Sequence, residues 1–99
     1  MIHTFLLADF SKCKMTRKGL DYNGNVSTTA SGKICQRWES QYPHPHIYYP
    51  VQEQARLHEN YCRNPDNDDD LWCMTTDRNR RWEFCNVPIC GKRILHVVF

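Results

Sequence analysis

Aliphatic side chains are scarce in this chain. Of the 78 residues from Cys13 to Cys90 only 10 are Leu, Ile, Val or Phe. So thin an apolar supply cannot bury enough area to offset backbone entropy unaided, which excludes an ordinary aliphatic core. Long apolar runs are also lacking: Phe5 to Ala8 is too short for a signal-peptide core or a membrane span, so no membrane insertion is expected of this segment. Excess charge is absent too. A net charge of +2 is lower than a general polyanion binder carries, so nucleic acid is not an expected partner. There is no Gly-x-Ser-x-Gly elbow, and no catalytic residue is assigned. There is no Cys-x-x-Cys, and the nearest pair, Cys85 and Cys90, has four residues between. Zinc favours closer ligand pairs, so His44 and His46 are read as loop-packing residues, and no metal or other cofactor is expected.

What the chain does have is six cysteines in 99 residues. That density marks a secreted, disulfide-stapled scaffold and an oxidising, extracellular address. Cysteines committed to disulfides cannot act as nucleophiles. The remaining core must be aromatic, with Trp38, Tyr61, Trp72 and Trp82 as candidates and Leu57 beside them. Turn signals recur at Tyr22-Asn23-Gly24-Asn25, Ser31-Gly32, Pro43 to Pro45, Asn64-Pro65-Asp66 and Asp77 to Asn79. Between them lie short extended pieces, Leu71 to Thr75 and Arg81 to Phe84, and Val51 to Glu59 can form a helical turn or two. The fold class is thus a small, disulfide-rich and loop-rich domain, mostly β and irregular. Its organisation is a flanking segment 1–12, a domain 13–90 and a second flanking segment 91–99, read as a piece of a larger secreted or receptor protein.

Several motifs, in order, resemble the kringle family. They are Tyr22-Asn23-Gly24, Ser31-Gly32 leading to Cys35-Gln36-Arg37-Trp38, Pro43-His44-Pro45-His46, Leu57-His58-Glu59-Asn60-Tyr61-Cys62-Arg63-Asn64-Pro65-Asp66, Trp82-Glu83-Phe84-Cys85 and Val87-Pro88-Ile89-Cys90. Six cysteines by themselves leave the pairing open. The resemblance implies Cys13–Cys90, Cys35–Cys73 and Cys62–Cys85. Loop entropy values these singly at roughly 4.5, 3.9 and 3.4 kcal/mol, and the overlap of the loops prevents addition.

The resemblance also implies a lysine-binding trough. Asp66 and Asp68 fall on the family's acidic pair for the ligand ammonium, Trp72 and Trp82 on its rings, and Arg81 on its cation for a carboxylate. The chemistry suits: an ammonium gains charge-assisted bonds from carboxylates, and an indole face attracts a cation. Three departures stand out. Met74 replaces a third ring with a flexible stem. Tyr48 stands where some relatives carry a second cation. Asp68-Asp69-Asp70-Leu71-Trp72 replaces a loop that usually contains Gly-Pro before the Trp, which should loosen it by about 0.4–1 kcal/mol, and four acids within five residues make the rim strongly acidic.

Two functions follow as expectations. In the first, the domain docks a parent protein onto partners with exposed or C-terminal lysines. In the second, the trough is inactive, and a structural or receptor-type domain contacts protein or a heparin-like glycosaminoglycan through Lys12, Lys14, Arg17 and Lys18. Asn25-Val26-Ser27 is a glycosylation sequon in a turn, with Asn25 as acceptor. The ends, Ile2 to Phe10 and Ile94 to Phe99, are apolar and β-favouring. Leaving a shared disulfide in opposite directions, they can pair as an antiparallel ribbon, the alternative being two disordered tails.

Overall fold

A computed structural model describes residues 10–50 and 56–91. The terminal ribbon and most of the helical turn at Val51 to Glu59 fall outside the described residues. Within that turn, 56–59 hold no helix, and Glu59 adopts a left-handed φ of 51°.

Three cross-links do what aliphatic packing cannot. Cys13–Cys90, Cys35–Cys73 and Cys62–Cys85 bridge Cα atoms 5.0, 5.7 and 6.4 Å apart. The last two lie side by side at the centre, with Cys35 Sγ 3.8 Å from Cys62 Sγ. All four of their sulfurs fall within 4.8 Å of one another. Oxidised in pairs, they offer no thiolate to a metal.

Around this sulfur centre two strands form: β1, Trp72–Met74, and β2, Trp82–Phe84. They are antiparallel, with Trp72 opposite Phe84, Cys73 opposite Glu83 and Met74 opposite Trp82. Both match the extended pieces of the sequence, trimmed by a residue or two. Side chains alternate along a strand, so Trp72, Met74, Trp82 and Phe84 share one face while Cys73 turns to the other and reaches Cys35. Isolated bridges extend the ladder from β1 to Arg63, and from Thr75 to Cys35.

The aromatic core is partly as expected. Trp38 is 1% exposed, Leu57 and Trp72 are buried, and Trp38 Nε1 donates to the Tyr61 carbonyl at 2.7 Å. Two corrections apply. Trp82 is 42% exposed and belongs to the surface, because β2 lies at the open side of the two-stranded sheet. Tyr61 is only half-buried, and Tyr22 takes a core place instead. A side chain on Gly24 would collide with the Tyr22 ring and the Ser11 carbonyl, which explains a glycine in that turn.

Buried polar groups are paired. Arg63, 3% exposed, donates through Nε to the Arg56 carbonyl at 2.6 Å and through Nη1 to the Cys62 carbonyl at 2.8 Å. Its guanidinium stands 5.4 Å from the Tyr22 and Tyr61 ring centres, a cation held between aromatic faces. His44 and His46 are buried, with Nε2 atoms 2.8 Å from the Asp77 carbonyl and 2.9 Å from the Ser40 carbonyl. Lys14 requires a correction: expected in a surface basic cluster, it is 4% exposed and pairs with Asp70 at 2.5 Å. An ammonium so enclosed must keep its carboxylate partner, since leaving it unpaired would cost several kcal/mol, roughly 3–5.

Candidate functional site

The face shared by β1 and β2 opens on a shallow trough of about 240 Å³. Its walls bring together Tyr48, Asp66, Asp68 and Arg81 with Trp72, Met74 and Trp82. These are all seven residues singled out in the sequence, drawn from three separate loops and both strands.

Ring contacts run from core to rim. Trp38 meets Trp72 edge-to-face at 5.4 Å, Trp72 meets Trp82 at 6.1 Å, and Trp82 meets Phe84 at 5.0 Å. Tyr48 abuts Trp72 at 5.2 Å. Trp72 is almost fully covered and forms a fixed floor, whereas exposed Trp82 offers a face. Met74 is buried directly opposite Trp82, a flexible thioether under the ring.

The acidic side is built by hydrogen bonds. Asp66 Oδ1 accepts from Trp72 Nε1 at 3.0 Å, and Oδ2 lies 3.5 Å from the Tyr48 hydroxyl, at the edge of bonding range. Burial, and then the Asp66 charge, push the Tyr48 hydroxyl pKa up, so it remains a donor at neutral pH. Tyr48 thus abuts Asp66 at a position where some relatives carry a cation. Asn67 between the acids adopts a left-handed φ of 58°, a conformation that Asn tolerates. Asn64 brackets the turn: its Oδ1 accepts from Asp68 N at 2.8 Å, and its Nδ2 donates to the Asp68 and Lys18 carbonyls. In the sequence Asn64 marks a turn, and an Asn four residues before an acid in an Asn-Pro turn is also a signal for such a side-chain bridge.

Charge is left over at the site. Among the described residues Asp66, Asp68 and Arg81 enter no ion pair. Asp69 is exposed beside them, while Asp70 is taken by Lys14, so the rim is less acidic than the sequence implies. That pair and the fully buried Leu71 anchor the loop that lacks the proline. Arg80 is exposed and does not line the trough. Of the other candidates, Lys12, Arg17 and Lys18 are exposed, as is Asn25 of the sequon.

A stapled loop domain with this core, these three disulfides and this aromatic trough defines a kringle. The chain matches the kringle domain family over residues 13–90 and belongs to it. More particularly it is similar to the plasminogen of Capra hircus, 49% identical over 75 residues. That match covers 75% of this chain and 61% of the relative, so the chain spans about three fifths of the curated sequence it matches. Kringles are non-catalytic modules with protein-binding roles. Among the described residues no helix is long and apolar enough to cross a membrane.

Proposed function

We propose that the chain is a non-catalytic, extracellular binding module that grips lysine side chains, exposed or C-terminal, of partner proteins. One observation carries this reading: two carboxylates and a guanidinium, all without ion-pair partners among the described residues, line the same aromatic trough. The ammonium lies between Asp66 and Asp68, the methylenes rest on Trp82 above the Trp72 floor, and a carboxylate meets Arg81. Water is a poor competitor for the methylenes, and the charged ends set the register. Three rim acids against one cation favour a lysine side chain within a polypeptide over a free zwitterion.

The test is tryptophan fluorescence on titration with 6-aminohexanoate and with an Nα-acetyl-lysine amide. Both should saturate. Asp66→Asn and Asp68→Asn retain shape and remove charge, and each should weaken binding by about 1.5–3 kcal/mol. Variants that bind as the wild type does would overturn the assignment. A response to heparin fragments alone, falling steeply with salt, would move the function to Lys12, Arg17 and Lys18.

A further inference from the structure

The 14–19 segment carries one cation that faces inward, Lys14. Lys14 Nζ donates to Asp70 Oδ1 at 2.5 Å and to the Arg17 carbonyl at 2.6 Å, with the lysine side chain almost wholly covered. Asp70 Oδ1 also accepts from Leu71 N at 2.7 Å. Lys18 Nζ reaches Asn67 Oδ1 at 3.1 Å, and the Lys18 carbonyl accepts from Asn64 Nδ2 at 2.9 Å. Gly19, at a φ of 63°, packs so tightly that an added Cβ would stand 2.8 Å from Leu71 Cγ. The 14–19 segment thus touches the 64–71 loop at Asn64, Asn67, Asp70 and Leu71, on both sides of Asp66 and Asp68.

We infer that the Lys14–Asp70 ion pair is a positioning clamp that holds the acidic loop in its ligand-binding shape. The inference rests on the lysine-binding reading of the trough. A loop with a left-handed Asn67 and no proline has many conformations when free, and only some of them direct both carboxylates into one site. An ion pair whose lysine is covered, with a second bond to a backbone carbonyl, removes those alternatives, because any other loop path strands the Lys14 charge. Lys14 and Asp70 are 56 residues apart, so the clamp ties the start of the domain to its site. It also spends a cation that a polyanion-binding face would have to expose.

The test uses the whole 99-residue chain. Lys14→Met keeps the covered stem and removes the charge, and Asp70→Asn keeps the acceptor for Leu71 N. Affinity for 6-aminohexanoate is measured well below the melting temperature of each variant, with hydrogen exchange at residues 66–70. Each single variant should bind about tenfold more weakly and exchange faster there, and the double variant no more weakly than either, since interacting residues do not add. Heparin binding should not change. Wild-type affinity and exchange in folded single variants, whatever their melting temperature, would overturn the clamp. An additive double variant would do the same. A wild-type chain that ignores 6-aminohexanoate would instead sink the lysine-binding reading itself. If Lys14→Met does not fold, Asp70→Asn carries the same comparison alone.

Discussion

Asp66 shows how a single side chain is readied for a charged ligand. One oxygen is held by the Trp72 indole and the other is approached by the Tyr48 hydroxyl, so little orientation remains to be lost on binding. Arg81 has no such restraint: it is exposed and enters no ion pair among the described residues. The two ends of the trough should therefore respond differently to substitution. Arg81→Ala is expected to weaken 6-aminohexanoate by about 1–2 kcal/mol, the value of a partly solvated charged hydrogen bond, and to leave hexylamine nearly unchanged. Calorimetric titration of both ligands measures the contrast, and equal losses would remove Arg81 from the carboxylate end.

At the scale of the element, the 40–50 loop places Tyr48 through a histidine. His46 Nδ1 accepts from Tyr48 N at 3.0 Å while Nε2 meets the Ser40 carbonyl, a pattern open only to the neutral ring. Burial holds the His46 pKa below the ordinary histidine value, and the Arg81 charge adds to the effect. The folded state thus prefers the unprotonated form. Its contribution to stability is complete above the unfolded value of about 6.5 and is lost as pH falls through the lowered folded value. Thermal melts should show a falling melting temperature from pH 7 toward pH 5, with a shallower slope in His46→Gln. The two strands were legible in the sequence because short pieces with β-favouring Trp, Phe and Thr residues stand between strong turn signals. Their unequal burial was not legible. Trp72 is covered by Trp38 and Tyr48, which come from other loops, whereas the ring contacts of Trp82 among the described residues are with its sheet neighbours Trp72 and Phe84.

The whole molecule is a sulfur-centred cluster with aromatic rings around it, and its cohesion depends on cross-links more than on area. The Cys62–Cys85 bridge spans only 23 residues, yet it lies against Cys35–Cys73 within the buried core. Replacing both Cys62 and Cys85 by Ala should cost about 2–5 kcal/mol. Full reduction should abolish the cooperative transition, as followed by near-ultraviolet circular dichroism. A reduced chain that still melts cooperatively would mean the aromatic core suffices.

The sequence alone determined the class of this domain and its extended pieces, because cysteine density, turn residues and strand alternation are local constraints that can be read without neighbours in space. The disulfide partners and the trough residues came from the resemblance of its ordered motifs to kringles, since cysteine spacing by itself leaves the pairing open. Tertiary structure decided the fates of individual polar side chains. Lys14 reads as one more surface cation until Asp70, 56 residues away, is brought beside it. Asn64 reads as a turn residue until its amide is seen holding both Asp68 and Lys18. Arg63 stands in the sequence only as part of a motif, and the fold buries it between Tyr22 and Tyr61. Whether a charge is exposed or spent inside the fold depends on which distant group can repay its lost hydration, and only the assembled chain determines that group.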